Sequence, residues 1–314
     1  NSNMTIKSSG SSLAISEIVT EFGGSTPHSM SEYYAGGDNV ASGTSGDSGT
    51  IPSTGAIALS EFYGSSARVA ITLTIGSNTT NYSIFSNKGG TYVAGFADIT
   101  LVNNAVISSS STGTAALDTG SGWTSGDTIT IDNNSTIVGD GGDGGAGGAV
   151  SSSTASDAVD GGAGGNAINL QYAVTIDNTG GTISGGGGGG GGGGSTYAEL
   201  ALGSSNRVGG DGGGGGFGGG AAGAGGVASG GTSNSNGTAG AAGTVSSAGA
   251  GGGSGAYSGG DGGAAGTDGG AGTLGSSQTS NGAVGAAGAA GKAVNLNSNS
   301  ITWTANGTRN GAIS

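Results

Sequence analysis

The sequence predicts a mainly β and irregular fold: a β-rich N-terminal part, then a polyglycine-II helix bundle interrupted by short β-hairpins. Three observations carry this expectation. Glycine recurs at every third residue in separate runs, such as Gly139-Gly142-Gly145-Gly148, Gly260 through Gly275, and Gly282-Gly285-Gly288-Gly291. Val69, Ile71, Leu73 and Ile75 alternate with Arg68, Ala70, Thr72 and Thr74. A Thr-Ile motif recurs where β-type sequence meets glycine. A period of three is neither the 3.6 of an α-helix nor the 2 of a strand. It is the period of the extended polyproline-II-type helix, which rises about 3.1 Å per residue. Glycine at every third position leaves one bare edge, against which a neighbouring backbone can pack.

Composition narrows the class. Of 314 residues 80 are glycine and only 2 are proline, which argues against collagen, whose glycine repeat comes with abundant proline. Charged residues make up 8%, and Tyr, Phe and Trp persist outside the glycine tract, unlike a solvated disordered chain. The net charge is −13, with 6 Lys plus Arg against 19 Asp plus Glu. Phosphate backbones require clustered cations, so nucleic acid is not an expected partner. No run of 18 apolar residues is present to span a bilayer, and no charged start with an apolar middle reads as a signal peptide. There is no cysteine, so disulfides contribute nothing.

Residues 1–66 carry an internal echo. Ile15-Ser16-Glu17-Ile18, Met30-Ser31-Glu32-Tyr33 and Leu59-Ser60-Glu61-Phe62 share the order apolar, Ser, Glu, then apolar or aromatic. Each reads as a short helical turn, with Ser as a cap and Glu suited to the helix dipole. Residues 67–138 read as a β domain of sandwich or small-roll type. Residues 139–314 read as the glycine bundle. Within that region Val174-Thr175-Ile176-Asp177-Asn178 leads through Thr182-Ile183 into Gly185, and Ser300-Ile301-Thr302-Trp303 leads through Gly307 to Ile313. Thr128 to Val138 has the same order. Each is expected to be a β-hairpin turned at Asn or Gly, two of them near 172–184 and 297–313, stacked at the base of the bundle.

The glycine runs expected are 139–150, 161–166, 185–194, 209–226, 237–243, 249–255, 259–275 and 282–291. Buried amides must pair, and this helix has no internal hydrogen bonds, so partners must lie on neighbouring runs. Counting reversals outward from Gly139 puts joints 151–160, 195–208, 244–248 and 276–281 at the far end. Joints 227–236 and 256–258, with Tyr257, fall at the base.

No catalytic constellation is expected, and the chain does not read as an enzyme. His28 is the sole histidine and cysteine is absent, so no zinc set exists and no cofactor is expected. Matches to G-x-G-x-x-G lack the flanking strand and helix that give that motif meaning. Asp140 and Asp143 lack the apolar residue of calcium-binding glycine repeats, so no metal is expected. Functional candidates lie in the far-end joints. Tyr197, Glu199, Leu200, Leu202, Asn206 and Arg207 bring aromatic and amphipathic material into a bland tract, and Asp157 and Gln278 sit in neighbouring joints. Aromatic loops on a rigid frame are how binding surfaces are often built; capping of the bundle end is the competing role.

The runs from Gly139 to Gly291, the joints Ile137-Val138-Gly139 and Ile183-Ser184-Gly185, and the polar loops between runs resemble the glycine-rich adhesins at the tips of phage tail fibres, especially the T-even-like group. Met30 to Gly37 and Leu59 to Gly64 resemble segments of phage tail structural proteins. The resemblance implies an N-terminal attachment domain docked on a phage fibre or tail protein, and a virion location at the tail tip. It further implies a polyglycine-II sandwich whose distal loops contact a bacterial outer-surface receptor, with no membrane insertion. Those distal loops are often aromatic-rich, whereas here only 195–208 and Tyr257 are. Two other readings are a filament-forming surface protein, which would polymerise with concentration, and an ice-binding protein, whose flat face the run Ala283 to Ala290 permits.

Overall fold

The computed structural model describes residues 6–253, 255–275 and 279–314. The fold is mainly β with few helices. It separates into two compact units that are discontinuous in sequence and cut across the compositional stretches 1–66, 67–138 and 139–314.

One unit comprises the described part of Asn1–Leu73 with Asn87–Thr100 and Gly122–Thr130. The three echoed motifs become helical here: an α-helix at Ile15–Phe22 and 3-10 turns at Met30–Tyr33 and Leu59–Phe62. In each, the motif's Glu reaches back and accepts from the amide that begins the turn. The pairs are Glu17 with Ala14 at 2.9 Å, Glu32 with Ser29 at 2.9 Å, and Glu61 with Ala58 at 2.8 Å. The middle turn adds a serine cap, the Ser29 hydroxyl accepting from the Ser31 amide at 3.3 Å, whereas Ala14 and Ala58 occupy that position in the other two and offer no side-chain acceptor. The residue after each Glu (Ile18, Tyr33 or Phe62) is fully buried. Phe62 meets Phe22 and Tyr33 edge-on, at ring separations of 5.9 and 6.3 Å. Buried Asp127 ties the loops of this unit, accepting from the amides of Gly95, Ala97 and Thr124 and from the Tyr92 hydroxyl.

The second unit contains Thr74–Ser86, Leu101–Ser121 and Ile131–Ser314. Its β structure is neither a sandwich nor a roll. Thr79–Thr80, Ile107–Ser108, Thr136–Val138, Thr182–Ser184 and Thr308–Asn310 form one sheet in that spatial order, every pair parallel. Tyr82–Ser83, Leu117–Asp118, Ile168–Asn169 and Val294–Asn295 form another, again all parallel. Val174–Asp177 and Ile301–Ala305 pair in parallel in a further sheet. The chain visits the sheets in one repeated order, so like residues stack: Ile107, Ile137 and Ile183 are in register, as are Leu117, Ile168 and Val294.

The hairpins expected near 172–184 and 297–313 are therefore not hairpins. Val174–Asp177 and Thr182–Ser184 belong to different sheets, as do Ile301–Ala305 and Thr308–Asn310. The Thr-Ile motif repeats because successive passes of the chain lie on one another. Asn133 and Asn178, read as turn residues, sit fully buried at that corner and bond to each other.

Two passes carry long excursions. After Thr136–Val138 the chain leaves and returns at Ile168–Asn169; after Thr182–Ser184 it leaves and returns at Val294–Asn295. Within the second excursion Gly185 to Gly194 are all buried. Their amides turn to three neighbours in strict rotation. Gly186, Gly189 and Gly192 donate to carbonyls of Gly165, Gly162 and Val159. Gly187, Gly190 and Gly193 donate to Phe217, Gly214 and Asp211, while Gly188, Gly191 and Gly194 donate to Thr267, Gly270 and Thr273. Their carbonyls receive amides from three further stretches, around Gly142–Gly148, Gly260–Gly266 and Gly285–Gly291. A Cβ on any residue from 185 to 194 would strike one of the surrounding carbonyl oxygens.

At the rim, where no carbonyl faces an amide, aspartate supplies the acceptor. Asp143 takes the amide of Ala221, Asp157 that of Ala283, Asp160 that of Ala286, Asp211 that of Thr238, Asp261 that of Gly251 and Asp268 that of Ala290, at 2.6–2.8 Å. Much of the acidic charge is thus lattice chemistry. Asp140 differs: burial pushes its carboxyl above the ordinary range, against the Gly141 amide and with a contribution from Asp143.

Two expected runs are each folded in two. Stretch 209–226 reverses at Phe217–Gly219, and 259–275 reverses at Ala265–Gly266. Gly218, Gly219 and Gly266 take positive φ values of 112°, 120° and 62° there, which glycine adopts without a Cβ penalty. The extra reversals change the parity. Joint 227–236 lies at the far end, where Ala228 pairs with Val150, and the far end also holds Tyr257, whose carbonyl accepts from Asp211 at 2.9 Å. Joint 244–248 lies at the base, since Gly218 donates to Thr244.

Candidate functional surface at the far end

Far-end loops converge through two small sheets. Thr196–Glu199 and Ser205–Val208 form an antiparallel hairpin flanked by Ser280–Asn281 and Ser233–Ser235. Val150–Ser151 pairs with Thr154–Ala155 and Ala228–Ser229. The hairpin opposes Tyr197 to Arg207 and Glu199 to Ser205. Its tip closes through the Leu200 amide on the Ser204 carbonyl at 2.8 Å. Leu202 has φ 67°, an uncommon conformation for a residue with a side chain.

The sequence-derived candidates divide into two groups. Leu200 and Leu202 are 51% and 103% exposed, and Glu199 is also exposed; these face solvent together. Tyr197 and Arg207 are buried, at 9% and 5% exposure. The guanidinium lies over the Tyr197 ring, 5.2 Å from its centre, donates to the Ser152 carbonyl, and donates to the Ser205 hydroxyl at 3.1 Å. Asn206 is half-buried, in register with Ser233. Asp157 is exposed but its carboxylate is engaged by the Ala283 amide. Gln278 lies outside the described residues.

Sequence reasoning missed the 227–236 loop, which the parity error placed at the base. It brings exposed Val227, at 59%, and a polar face of Thr232, Ser233 and Asn234. Thr232 joins it to the hairpin, accepting from the Ser205 amide and donating to its carbonyl at 2.8 and 2.9 Å. The signal available in the sequence was Phe217-Gly218-Gly219, a bulky residue interrupting the glycine run.

No described group of three or more His, Cys, Asp or Glu residues is placed to hold a metal. In the N-terminal unit a hollow of about 520 Å³ is lined by hydroxyls, Phe96 and Arg68. Among the described residues no helix is long and apolar enough to cross a membrane.

A surface of exposed loops on a glycine lattice is the feature to set beside known proteins. The family model of the phage tail fibre adhesin Gp38 matches residues 70–314. The chain belongs to that family. Membership places it at the tail fibre tip of a phage particle. A solved structure is also similar: the crystal structure of the gp37–gp38 adhesin tip complex of the bacteriophage S16 long tail fibre. It shares 26% identity with a TM-score of 0.52, over 84% of this chain and 90% of that one. None of the curated proteins compared matches the chain.

Proposed function

We propose that this adhesin binds a bacterial outer-surface receptor through its far-end loops, with Leu200 and Leu202 as the central contacts, and that it performs no catalysis. The carrying observation is the pair of exposed leucines on a hairpin pinned on both flanks. Exposed apolar groups on a fixed frame supply affinity at small ordering cost. Glu199 is the one exposed charge in the far-end loops 150–155, 195–208 and 227–236, so contact would be apolar at its centre and hydroxyl- and amide-rich around it.

The frame in this reading is a polyglycine-II sandwich. Its support is the threefold rotation of hydrogen-bond partners along Gly185 to Gly194, which matches a helix of three residues per turn. Docking on a fibre protein would fall to residues 1–138. The gp37–gp38 complex of phage S16 is the precedent for a fibre partner. The test is to exchange residues 199–204 and 229–235 for the equivalent loops of an adhesin with another host. Transfer of adsorption to that host supports the reading; unchanged adsorption after both exchanges rejects it.

A further inference from the structure

We infer that Arg207 is the positioning residue of the far-end surface: a buried clamp that fixes the exposed Leu200–Leu202 tip relative to the 150–155 and 227–236 loops. This rests on the reading of that surface as the receptor site. The sequence alone makes Arg207 a candidate contact, but its burial removes it from any partner. Among the described residues no carboxylate forms an ion pair with it. A buried cation without a counter-ion is costly unless its N–H groups are satisfied. Here Nε donates to a carbonyl 55 residues away in sequence and Nη1 to a hydroxyl of its own hairpin.

The guanidinium reaches the Ser152 carbonyl in one loop and the Ser205 hydroxyl in its own hairpin, and covers the Tyr197 ring. On a further side stands Gly231, where an added Cβ would collide with Nη1. Gly231 is itself held by Asn234, which accepts from its amide at 3.0 Å and donates to its carbonyl at 3.1 Å. Three loops thus meet on one planar group. Lysine cannot reproduce the arrangement, because it offers a point charge and neither a rigid fork nor a flat face for stacking. A loose clamp would leave Leu200 and Leu202 exposed but no longer pre-organised, and that loss falls mainly on dissociation.

The test uses the full chain and intact cells of the strain the phage infects. Arg207→Lys, Gly231→Ala and Leu202→Asp are compared for association and dissociation, melting temperature, and amide exchange in loops 150–155 and 227–236. The expectation for both clamp variants is dissociation faster by about tenfold, with association little changed. Exchange should rise in those two loops and not in Gly185–Gly194. Gly231→Ala retains the arginine and displaces it, so it stands in if Arg207→Lys folds poorly. Wild-type dissociation by both, with binding lost in Leu202→Asp, overturns the clamp and leaves the receptor surface standing. Full binding by Leu202→Asp overturns the surface itself.

Discussion

Asn133 donates its Nδ2 to Oδ1 of Asn178 at 2.7 Å, with both residues wholly buried. Asn103 donates to Asn133 in the same way at 2.8 Å, and Asn178 passes its own Nδ2 to the carbonyls of Asn306 and Thr308. The result is a ladder of amides linking successive passes of the parallel coil. Asn178→Ala removes the short acceptor of the buried Asn133 amide, leaving it only the Thr182 carbonyl at 3.4 Å, and takes the donor from the Asn306 and Thr308 carbonyls. A loss of about 2–3 kcal/mol is expected, the usual penalty for buried polar groups left without partners. Denaturant melts of the single and double Asn133/Asn178 alanine variants check it, the double costing less than the sum of the singles.

The central glycines leave no room for a methyl group. A Cβ at Gly190 would strike the Gly260 carbonyl, whereas one at Gly90 meets nothing within 4 Å. Gly190→Ala should therefore cost about 3 kcal/mol or more through overpacking, and Gly90→Ala should be close to neutral. Equal melting temperatures for the two variants would contradict the packing described.

These two sites also show what the sequence exposes and what it hides. The glycine period is legible because close approach forbids a Cβ, and the same interval of three returns in the partners of Gly185 to Gly194. The ladder is hidden because Thr-Ile followed by Asn suits a hairpin turn and a stacked corner equally; only pairing over 45 residues distinguishes them. Gly266 hides for another reason. Glycine serves both the lattice and the reversals, so the turn at Ala265–Gly266 leaves no break in composition, whereas Phe217 marks the other reversal. At the candidate surface, Leu200 and Leu202 were legible as apolar residues in a polar loop. The burial of Arg207 was not, because its partners Ser152 and Gly231 lie in other loops.

Rim aspartates act locally. Asp160 accepts the Ala286 amide at 2.7 Å, at an exposed site where water can replace it. Asp160→Ala should cost no more than about 1 kcal/mol but should speed exchange of the Ala286 amide markedly. Asp160→Asn keeps an acceptor oxygen and should preserve protection. Exchange measured residue by residue separates the two; similar loss in both would show that charge, and not the acceptor, holds the edge.

Acid should weaken the first unit through Asp98. Burial opposes its charged form, yet the Arg68 fork at 2.8 and 2.6 Å and the Thr128 hydroxyl at 2.6 Å together hold its pKa below the ordinary value. A carboxyl lowered in the folded state stabilises fully above its unfolded pKa of about 3.9. That contribution disappears as pH falls through the lower folded value. Its side chain is 38% exposed, so screening keeps the contribution within about 1 kcal/mol. Asp98→Asn should lose that increment at neutral pH and flatten the stability profile below pH 4, read from melts across the acid range.

Leu202 combines full exposure with φ 67°, a backbone state that costs a side-chain-bearing residue about 1–2 kcal/mol. Selection for folding alone favours glycine there, since Leu202 buries nothing in return. Leu202→Gly relieves that strain and gives back about 0.5–1 kcal/mol as chain entropy, so stability should stay level or rise slightly. The tip closure between Leu200 and Ser204 uses only backbone atoms and should survive. Under the receptor reading the same variant should nevertheless lose adsorption by roughly tenfold or more, since central apolar anchors carry most of such a contact. Parallel melting and adsorption measurements decide it: a fall in both would assign Leu202 to the fold, and no change in adsorption would remove it from the receptor surface.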